Sequence, residues 1–137
     1  MVARALAVRG ERLVVTGGAA DRERAAAVAA AAGLPGEAVL AGRLGLGSFA
    51  ALVADAALVV TADTGAGHLA SAYGRPSVVI FGPAPPEQWG PPPGPHAALT
   101  HAELRRGDAF TDVPDPALLA VNPEEVLAAA DRVRGTS

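Results

Sequence analysis

Short apolar runs alternate with longer, Ala-rich segments along the 137-residue chain. Four of the short runs are rich in Val, Leu or Ala and are typical of buried parallel strands. The predicted strands are 13–16, 39–41, 58–61 and 77–81, of which 39–41 has the weakest signal. Because helical segments separate these runs, the pattern indicates an α/β fold with a parallel sheet and right-handed crossovers.

Residues that begin and end helices mark the segments between the strands. The predicted helices are one that ends at Gly10 and those over 21–32, 48–56, 66–73 and from 123 onward. Gly33 is placed to close the second of these helices, and Ser48 to cap the third. Asn122 as N-cap, followed by Pro123 at the first helical position, marks the final helix clearly.

The segment 83–95 differs from the rest of the chain because seven of its thirteen residues are Pro. Pro fixes φ and removes a backbone donor, so a stiff loop is predicted here. Sequence with the character of ordered structure continues beyond it, which argues against a linker to a second domain. The whole chain, 1–137, is therefore predicted to form a single domain.

Composition narrows the function classes. Half of the residues are hydrophobic and the net charge is −3, which favours a packed globule without a basic surface for nucleic acid or anionic lipid. The absence of Cys excludes disulfides and thiolate metal sites but leaves the compartment open. No apolar run approaches the roughly 20 residues of a membrane-spanning helix. Arg4 and Arg9 interrupt the first ten residues, which therefore do not resemble a signal peptide.

Three predicted strands end in turns that contain Gly, at 16–18, 63–65 and 81–83. Parallel strands place their carboxyl ends on one edge of a sheet, and ligands bind in the crevice outside that edge. The three turns are therefore expected to share one ligand-binding rim. The alternative, that each Gly only makes a tight strand-to-helix turn, stays open for every turn taken singly.

The turn from Asp63 to His68 carries the most chemical information. It joins a strand to a helix N-terminus, where free N–H groups and the helix dipole favour a phosphate. Gly65 and Gly67 are expected to let an anion approach the backbone, and Thr64 to cap the helix or donate its hydroxyl. His68 is expected to donate to phosphate or to a sugar hydroxyl. Asp63 as a simple N-cap, with His68 in a structural role, is an equally good interpretation.

Two rival sites fit the sequence poorly. A hydrolase triad of Asp63, His68 and Ser71 would place the nucleophile three residues after the base on one short helix, without a Gly-x-Ser-x-Gly turn. A metal site built from His68, His96 and His101 lacks short ligand spacing. Neither a catalytic residue, a cofactor nor a metal is therefore predicted in this chain.

The motifs together resemble a known family. An Asp-Thr-Gly-x-x-His element at 63–68 is joined to Phe-Gly-Pro at 81–83 and Trp-Gly-Pro at 89–91, with a first Gly turn within 15–21. This combination is similar to the C-terminal domain of the family 9 glycosyltransferases, the bacterial lipopolysaccharide (ADP-heptose) heptosyltransferases and their relatives. The resemblance covers about residues 3 to 133. It implies a Rossmann-like half of a GT-B enzyme that works in lipopolysaccharide core biosynthesis in the cytoplasm.

The resemblance also implies roles for single residues. Asp63 would contact the donor sugar, while Thr64 and the Gly65 backbone would cradle the diphosphate with His68 nearby. The second group of residues would bind the nucleoside side of the donor: Gly17 and Gly18 in the first Gly turn, Asp21 at the ribose, and Leu44 against the nucleobase. Together these residues are predicted to bind an ADP-heptose-like nucleotide sugar.

The same resemblance implies that part of the enzyme lies outside this chain. The family's N-terminal Rossmann-like domain, with its catalytic carboxylate and acceptor site, has no counterpart here, nor does the first strand of the C-terminal domain. The chain is therefore expected to be an N-terminally truncated donor-binding half that is inactive in transfer by itself. A non-catalytic nucleotide-sugar-binding module and an inactive truncated fragment are the alternatives.

Overall fold

A computed structural model describes residues 1–107 and 114–135, and it divides the chain into two compact units, Met1–Phe49 and Ala50–Ser137. The helices are α1 (Val2–Val8), α2 (Arg22–Ala32), α3 (Leu46–Ala54), α4 (Gly65–Ala72), α5 (Pro86–Trp89), α6 (Pro116–Leu119) and α7 (Pro123–Val133). The strands are β1 (Val59–Ala62), β2 (Ser77–Ile80) and β3 (His96–Leu99). The prediction of one domain over 1–137 stays a prediction; 108–113 and 136–137 lie outside the described residues.

The first unit contains a minimal parallel pairing in place of the two predicted strands. Val15 and Val39 form an isolated parallel bridge. The Val15 N–H donates to Ala38 and its carbonyl accepts from Leu40, both at 2.8 Å, while the Gly42 N–H donates to the Gly17 carbonyl at 2.9 Å. The strands predicted at 13–16 and 39–41 are thus reduced to one bridge, although their direction is the expected one.

Small side chains on one stripe hold α2 against the rest of the first unit. Ala25, Ala29 and Ala32 are buried at helical spacing, and α2 packs against α1, which buries Leu6. Gly33 ends the helix in the left-handed conformation, with φ of 75°, as its position in the sequence predicted. In contrast, α3 begins at Leu46, so the prediction that Ser48 caps it was wrong by one turn.

The second unit is built on a three-stranded parallel sheet in the order β1-β2-β3. Val78 and Val79 point to opposite faces of the central strand and are both buried, so the sheet is covered on both sides. Helix α4 packs against β1 and β2, and α7 against β2 and β3. The α/β parallel architecture predicted from the sequence is confirmed in this unit.

The proline-rich segment contains more structure than the predicted loop. Helix α5 begins at Pro86, a first-turn position that tolerates Pro because its N–H has no intrahelical acceptor. Strand β3 begins at His96, directly after the segment, and pairs with β2 in the register Ser77 to His96. The Ser77 hydroxyl and His96 Nδ1 lie 2.9 Å apart. Both α5 and β3 are absent from the sequence-based prediction.

A buried polar network holds the segment that follows β2 against the rest of the second unit. Asp115 is 5% exposed, and its carboxylate accepts from the N–H groups of Ala117, Gly107 and Arg106 at 2.9, 3.0 and 3.1 Å. Burial alone would raise the pKa of Asp115, but these three N–H donors together lower it. Nearby, Arg105 Nε donates to the Gly82 carbonyl at 2.8 Å.

Helix α7 begins at a complete capping box. Asn122 accepts from the Glu125 N–H at 2.9 Å, and Glu125 accepts from the Asn122 N–H at 2.7 Å. His101 Nε2 lies 2.9 Å from the Glu125 carboxylate and its Nδ1 lies 3.2 Å from Glu103. The hydrogen bond to Glu125, then that to Glu103, raise the pKa of His101, and the same contacts help lower both carboxyl pKa values.

No helix within residues 1–107 and 114–135 has both the length and the apolar character needed to cross a membrane.

The raised pKa of His101 makes the stability of the fold depend on pH. Because the folded state holds the proton more tightly than the unfolded state, this ion pair stabilises the protein fully below the ordinary value of 6.5. The stabilisation is lost as the pH rises through the folded-state value. In denaturant melts at several pH values, His101→Gln should show a weaker fall in the free energy of unfolding over that range. His68→Gln, at an exposed position, serves as the control. Identical pH profiles for the parent protein and His101→Gln would contradict this role.

Candidate functional site

The junction between β1 and α4 forms the candidate site. The chain leaves β1 at Ala62, and Thr64 is the N-cap of α4 with extended φ and ψ of −141° and 177°. The Thr64 side chain does not cap the helix, because its hydroxyl lies 3.0 Å from the hydroxyl of Thr61. The first N–H groups of α4 therefore have no acceptor from the cap side chain. The interpretation of Asp63 as the N-cap was wrong.

A shallow cleft, open to solvent, lies beside this junction. Three predicted site residues line it together: Asp63, Thr64 and His68. Its other lining residues are Gly67, Ser71, Val79, Trp89 and Pro91. The cleft therefore combines a carboxylate, an imidazole and two hydroxyls with an apolar wall, beside a helix N-terminus that attracts negative charge.

The fold requires glycine at one of the two glycine positions of this turn more than at the other. A Cβ on Gly65 would meet no atom within 4 Å, and φ there is not positive, so the fold itself does not require glycine. A Cβ on Gly67 would lie 3.2 Å from Val79 Cγ2 and 3.6 Å from Thr61 Cγ2. Gly67 therefore lets α4 approach the sheet, and it also lines the cleft, so its role in admitting an anion stays a prediction.

Gly82, in the turn after β2, also serves packing. A Cβ there would lie 3.1 Å from Leu118 Cβ and 3.4 Å from Asp115 Cβ, and the residue is buried. Its carbonyl accepts from Arg105. The expectation that the 81–83 turn contributes an open part of a ligand-binding rim was wrong. In the second unit, the turn after β1 is the one that stays exposed.

In the first unit, the predicted residues Gly17, Gly18 and Asp21 form one turn. The Gly18 N–H donates to Asp21 Oδ2 at 2.9 Å, and a Cβ on Gly17, where φ is 156°, would lie 2.9 Å from Asp21 Cβ. Asp21 Oδ1 lies 3.7 Å from an exposed Arg24 guanidinium nitrogen. One carboxylate oxygen thus caps the turn, and the side chain remains 47% exposed.

Leu44 lies close to this turn along the chain that follows the Val15–Val39 bridge. The Gly42 N–H donates to the Gly17 carbonyl, which fixes the segment two residues before Leu44 beside the turn. Leu44 is half-buried, while Leu46 is 82% exposed. The first unit therefore brings the Asp21 turn and the segment that carries Leu44 to neighbouring positions, and their binding of a nucleoside stays a prediction.

The rival chemistries find little support in the geometry. Although Ser71 lines the same cleft as Asp63 and His68, no hydrogen bond joins any two of these side chains among the described residues. His96 bonds to Ser77, and His101 to Glu103 and Glu125, so neither is directed toward a shared ligand with His68. Within the described ranges, no three His, Asp or Glu side chains are placed to hold a metal ion.

Comparison with known proteins identifies the family. The sequence profile described as Glycosyltransferase family 9 (heptosyltransferase) matches residues 1–109. The chain belongs to glycosyltransferase family 9. It is 31% identical over 135 residues to lipopolysaccharide heptosyltransferase 2 of Escherichia coli, covering 92% of this chain and 38% of that protein. It is 49% identical over 70 residues to lipopolysaccharide heptosyltransferase 1 of Pseudomonas aeruginosa, covering 51% of this chain and 19% of that protein.

Solved structures of family 9 members have the same fold. The structure of the E. coli ADP-heptose lipopolysaccharide heptosyltransferase II superposes with a TM-score of 0.80 at 26% identity, over 97% of this chain and 39% of that one. The family 9 enzyme of Veillonella parvula superposes with a TM-score of 0.79 at 24% identity, over 99% of this chain and 40% of that one. The chain thus spans about two fifths of the length of these relatives.

Two residues that line the cleft, Trp89 and Pro91, were not among the site residues predicted from the sequence. Trp89 appeared only within the motif that carried the family resemblance, and Pro91 likewise, yet both line the cleft. The predicted stiff loop gave no reason to place them there, because helix α5 was not expected. The sequence did offer one indication, because Trp89 is an isolated aromatic residue in the proline-rich segment that follows the strand predicted at 77–81.

The different roles of Gly65 and Gly67 can be measured without ligand. Gly67→Ala should lower the free energy of unfolding by about 1 kcal/mol, because the buried, β-branched Val79 has little freedom to move away. Gly65→Ala, the matched control in the same turn, should melt at or slightly above the parent temperature, since Ala favours a helix. Thermal melts should therefore separate the two variants by a few degrees. A Gly67→Ala protein as stable as the parent would show that Gly67 is not needed for packing.

Proposed function

We propose that this chain is the nucleotide-sugar-binding half of a family 9 glycosyltransferase and that it binds an ADP-heptose-like donor. The observation that carries the proposal is the convergence of Asp63, Thr64 and His68 in one cleft at the N-terminus of α4. The family match and the likeness to heptosyltransferases support it. In this proposal the chain acts in the cytoplasm, in lipopolysaccharide core assembly.

The diphosphate of the donor binds at the start of α4. The Gly67 N–H donates to the Thr64 carbonyl at 3.1 Å, so the N–H groups of Gly65 and Ala66 precede the first backbone bond of the helix. The helix dipole gives this end a partial positive charge. Gly65 has open space where a side chain would stand, so phosphate oxygens can approach its backbone. The Thr64 hydroxyl, already fixed by Thr61, donates or accepts beside them.

The sugar of the donor binds on the Asp63 side of the cleft. A carboxylate repels a diphosphate but accepts two hydrogen bonds from neighbouring hydroxyls, which suits a sugar ring. His68 lies in the first turn of α4 and lines the same cleft, so it donates either to the sugar or to the nearest phosphate. The charged and uncharged parts of the donor are thus separated along the turn.

The nucleoside binds to the first unit. The exposed part of the Asp21 carboxylate accepts from ribose hydroxyls, and its bond to the Gly18 N–H holds it in position. Leu44 packs against the nucleobase, where a flat apolar surface is worth more than a polar contact. Gly17 and Gly18 keep this turn free of side chains.

Transfer of the sugar needs more than this chain supplies. A glycosyltransferase needs a base for the acceptor hydroxyl and stabilisation of the leaving diphosphate. In this proposal the start of α4 stabilises the leaving diphosphate. None of the side chains that line the cleft is assigned as the base for the acceptor hydroxyl. We expect the base and the acceptor site to come from an N-terminal Rossmann-like half, in line with the 38% of the E. coli heptosyltransferase 2 length that this chain covers.

Binding without turnover is the first expected result. ADP in hundredfold excess over its Kd should stabilise the folded protein by about 2.7 kcal/mol, which calorimetric melts detect as a rise of several degrees. The purified 137-residue chain should transfer no sugar from ADP-heptose to a lipopolysaccharide core acceptor. Absence of any stabilisation by ADP or ADP-heptose would refute donor binding, and robust transfer would refute the division of labour.

Asp63 provides the sharper test. Asp63→Asn keeps the size of the side chain and removes its charge, so the exposed site should change stability by less than about 0.5 kcal/mol. The affinity for ADP-heptose should fall about tenfold, because a charge-assisted hydrogen bond to the sugar is lost. The affinity for ADP should be unchanged or slightly higher. Isothermal titration measures both affinities, and thermal melts measure the stability.

Asp55→Asn is the matched control, since Asp55 is an exposed carboxylate immediately after α3 and outside the cleft. It carries the same charge change and should leave both affinities at the parent value. Equal losses of ADP and ADP-heptose affinity in Asp63→Asn would place the carboxylate at the diphosphate and contradict its assignment to the sugar.

A further inference from the structure

The cleft has one wall that the binding of phosphate and sugar hydroxyls does not explain. Trp89 lines the cleft and is 55% exposed, so its indole is available to a ligand at the mouth of a polar site. It is the single Trp of the chain. An exposed indole beside a carboxylate and an imidazole points to a ligand with both apolar and polar faces.

The backbone around Trp89 is held firmly. Helix α5 has Pro at its first position, the Trp89 N–H donates to the Pro85 carbonyl at 3.2 Å, and the Gly90 N–H donates to the Pro86 carbonyl at 2.7 Å. A Cβ on Gly90 would overlap the Pro86 carbonyl oxygen, so this tight return requires glycine. The prolines that follow limit the freedom of the chain further. The indole is therefore presented by an ordered turn.

The chemistry of the cleft selects among the parts of a nucleotide sugar. A diphosphate does not pack on the aromatic face of an indole and is repelled by Asp63. A pyranose ring has an apolar C–H face that packs on an aromatic ring, while its hydroxyls bind carboxylate, imidazole and hydroxyl groups. The lining of Asp63, His68, Ser71 and Trp89 supplies all of these contacts within one cleft.

We infer that the indole of Trp89 forms a stacking wall for the sugar ring of the donor and sets the preference of this site for a nucleotide sugar over the free nucleotide. The inference rests on the proposed function, since it assigns a residue to the sugar end of the same ligand. Trp89 acts in recognition, through packing, and takes no part in bond making or breaking.

The single Trp makes the test direct. With excitation that Tyr does not absorb, ADP-heptose should change the intensity or wavelength of Trp89 emission in the parent protein, and ADP should change it little. Trp89→Ala should lower the affinity for ADP-heptose about tenfold and leave that for ADP within about twofold, as measured by titration calorimetry. Trp89→Phe, which keeps a smaller ring, should recover part of the loss.

Tyr73→Ala is the matched control, because Tyr73 is 47% exposed at the far end of α4 and does not line the cleft. It should leave the ratio of the two affinities unchanged. If ADP-heptose binds by calorimetry but neither the emission nor the affinity ratio responds to Trp89, the inference is overturned while donor binding stands. If neither ligand binds the parent protein, the proposed function and the inference fall together.

Discussion

The close contact between α4 and the sheet is the constraint on which the candidate site depends. A Cβ on Gly67 would crowd Val79 Cγ2 at 3.2 Å and contact Thr61 Cγ2 at 3.6 Å. A bulkier residue would push the helix outward and carry its N-terminus away from the end of β1. Because Asp63 and Thr64 belong to the same short turn, their positions follow from this approach. A purely apolar contact thus fixes where the polar groups of the cleft stand.

The buried network around Asp115 acts as the counterpart of this open turn. Three N–H donors satisfy the Asp115 carboxylate, and Arg105 satisfies the carbonyl of Gly82, so the chain after β2 is closed by protein groups. The turn after β1 has no such closure, since the Thr64 hydroxyl bonds back to Thr61 instead of to the helix. Two adjacent strand ends of one sheet therefore differ in kind: protein groups close the end of β2, while the end of β1 is exposed and open to the proposed ligand.

The sequence predicted the helix ends, which depend on residues close together along the chain. It did not predict features that depend on packing between distant segments. Gly33 and Asn122 mark helix ends through their own conformation and hydrogen bonds, and the structure agrees with both. Strand β3 carries only a weak pattern, His-Ala-Ala-Leu, and exists because β2 offers it an edge. The reasons for Gly67 and Gly82 lie in residues distant along the chain, so a motif could not distinguish them from glycines that admit a ligand. The position of Trp89 in the cleft was not predicted either, because it depends on packing against α4, which is distant along the chain.

Gly65 differs from the other described glycines of the second unit. Every other glycine described in the second unit has either a positive φ or a neighbour that its Cβ would approach too closely: Gly67, Gly74, Gly82, Gly90, Gly94, Gly107 and Gly135. Gly65 has neither, although glycine at a helix start loses conformational entropy on folding that alanine would not lose. The fold gains nothing from glycine at this position. Gly65 is exposed at the first position of α4. The proposed diphosphate contact supplies the reason for glycine that the fold does not.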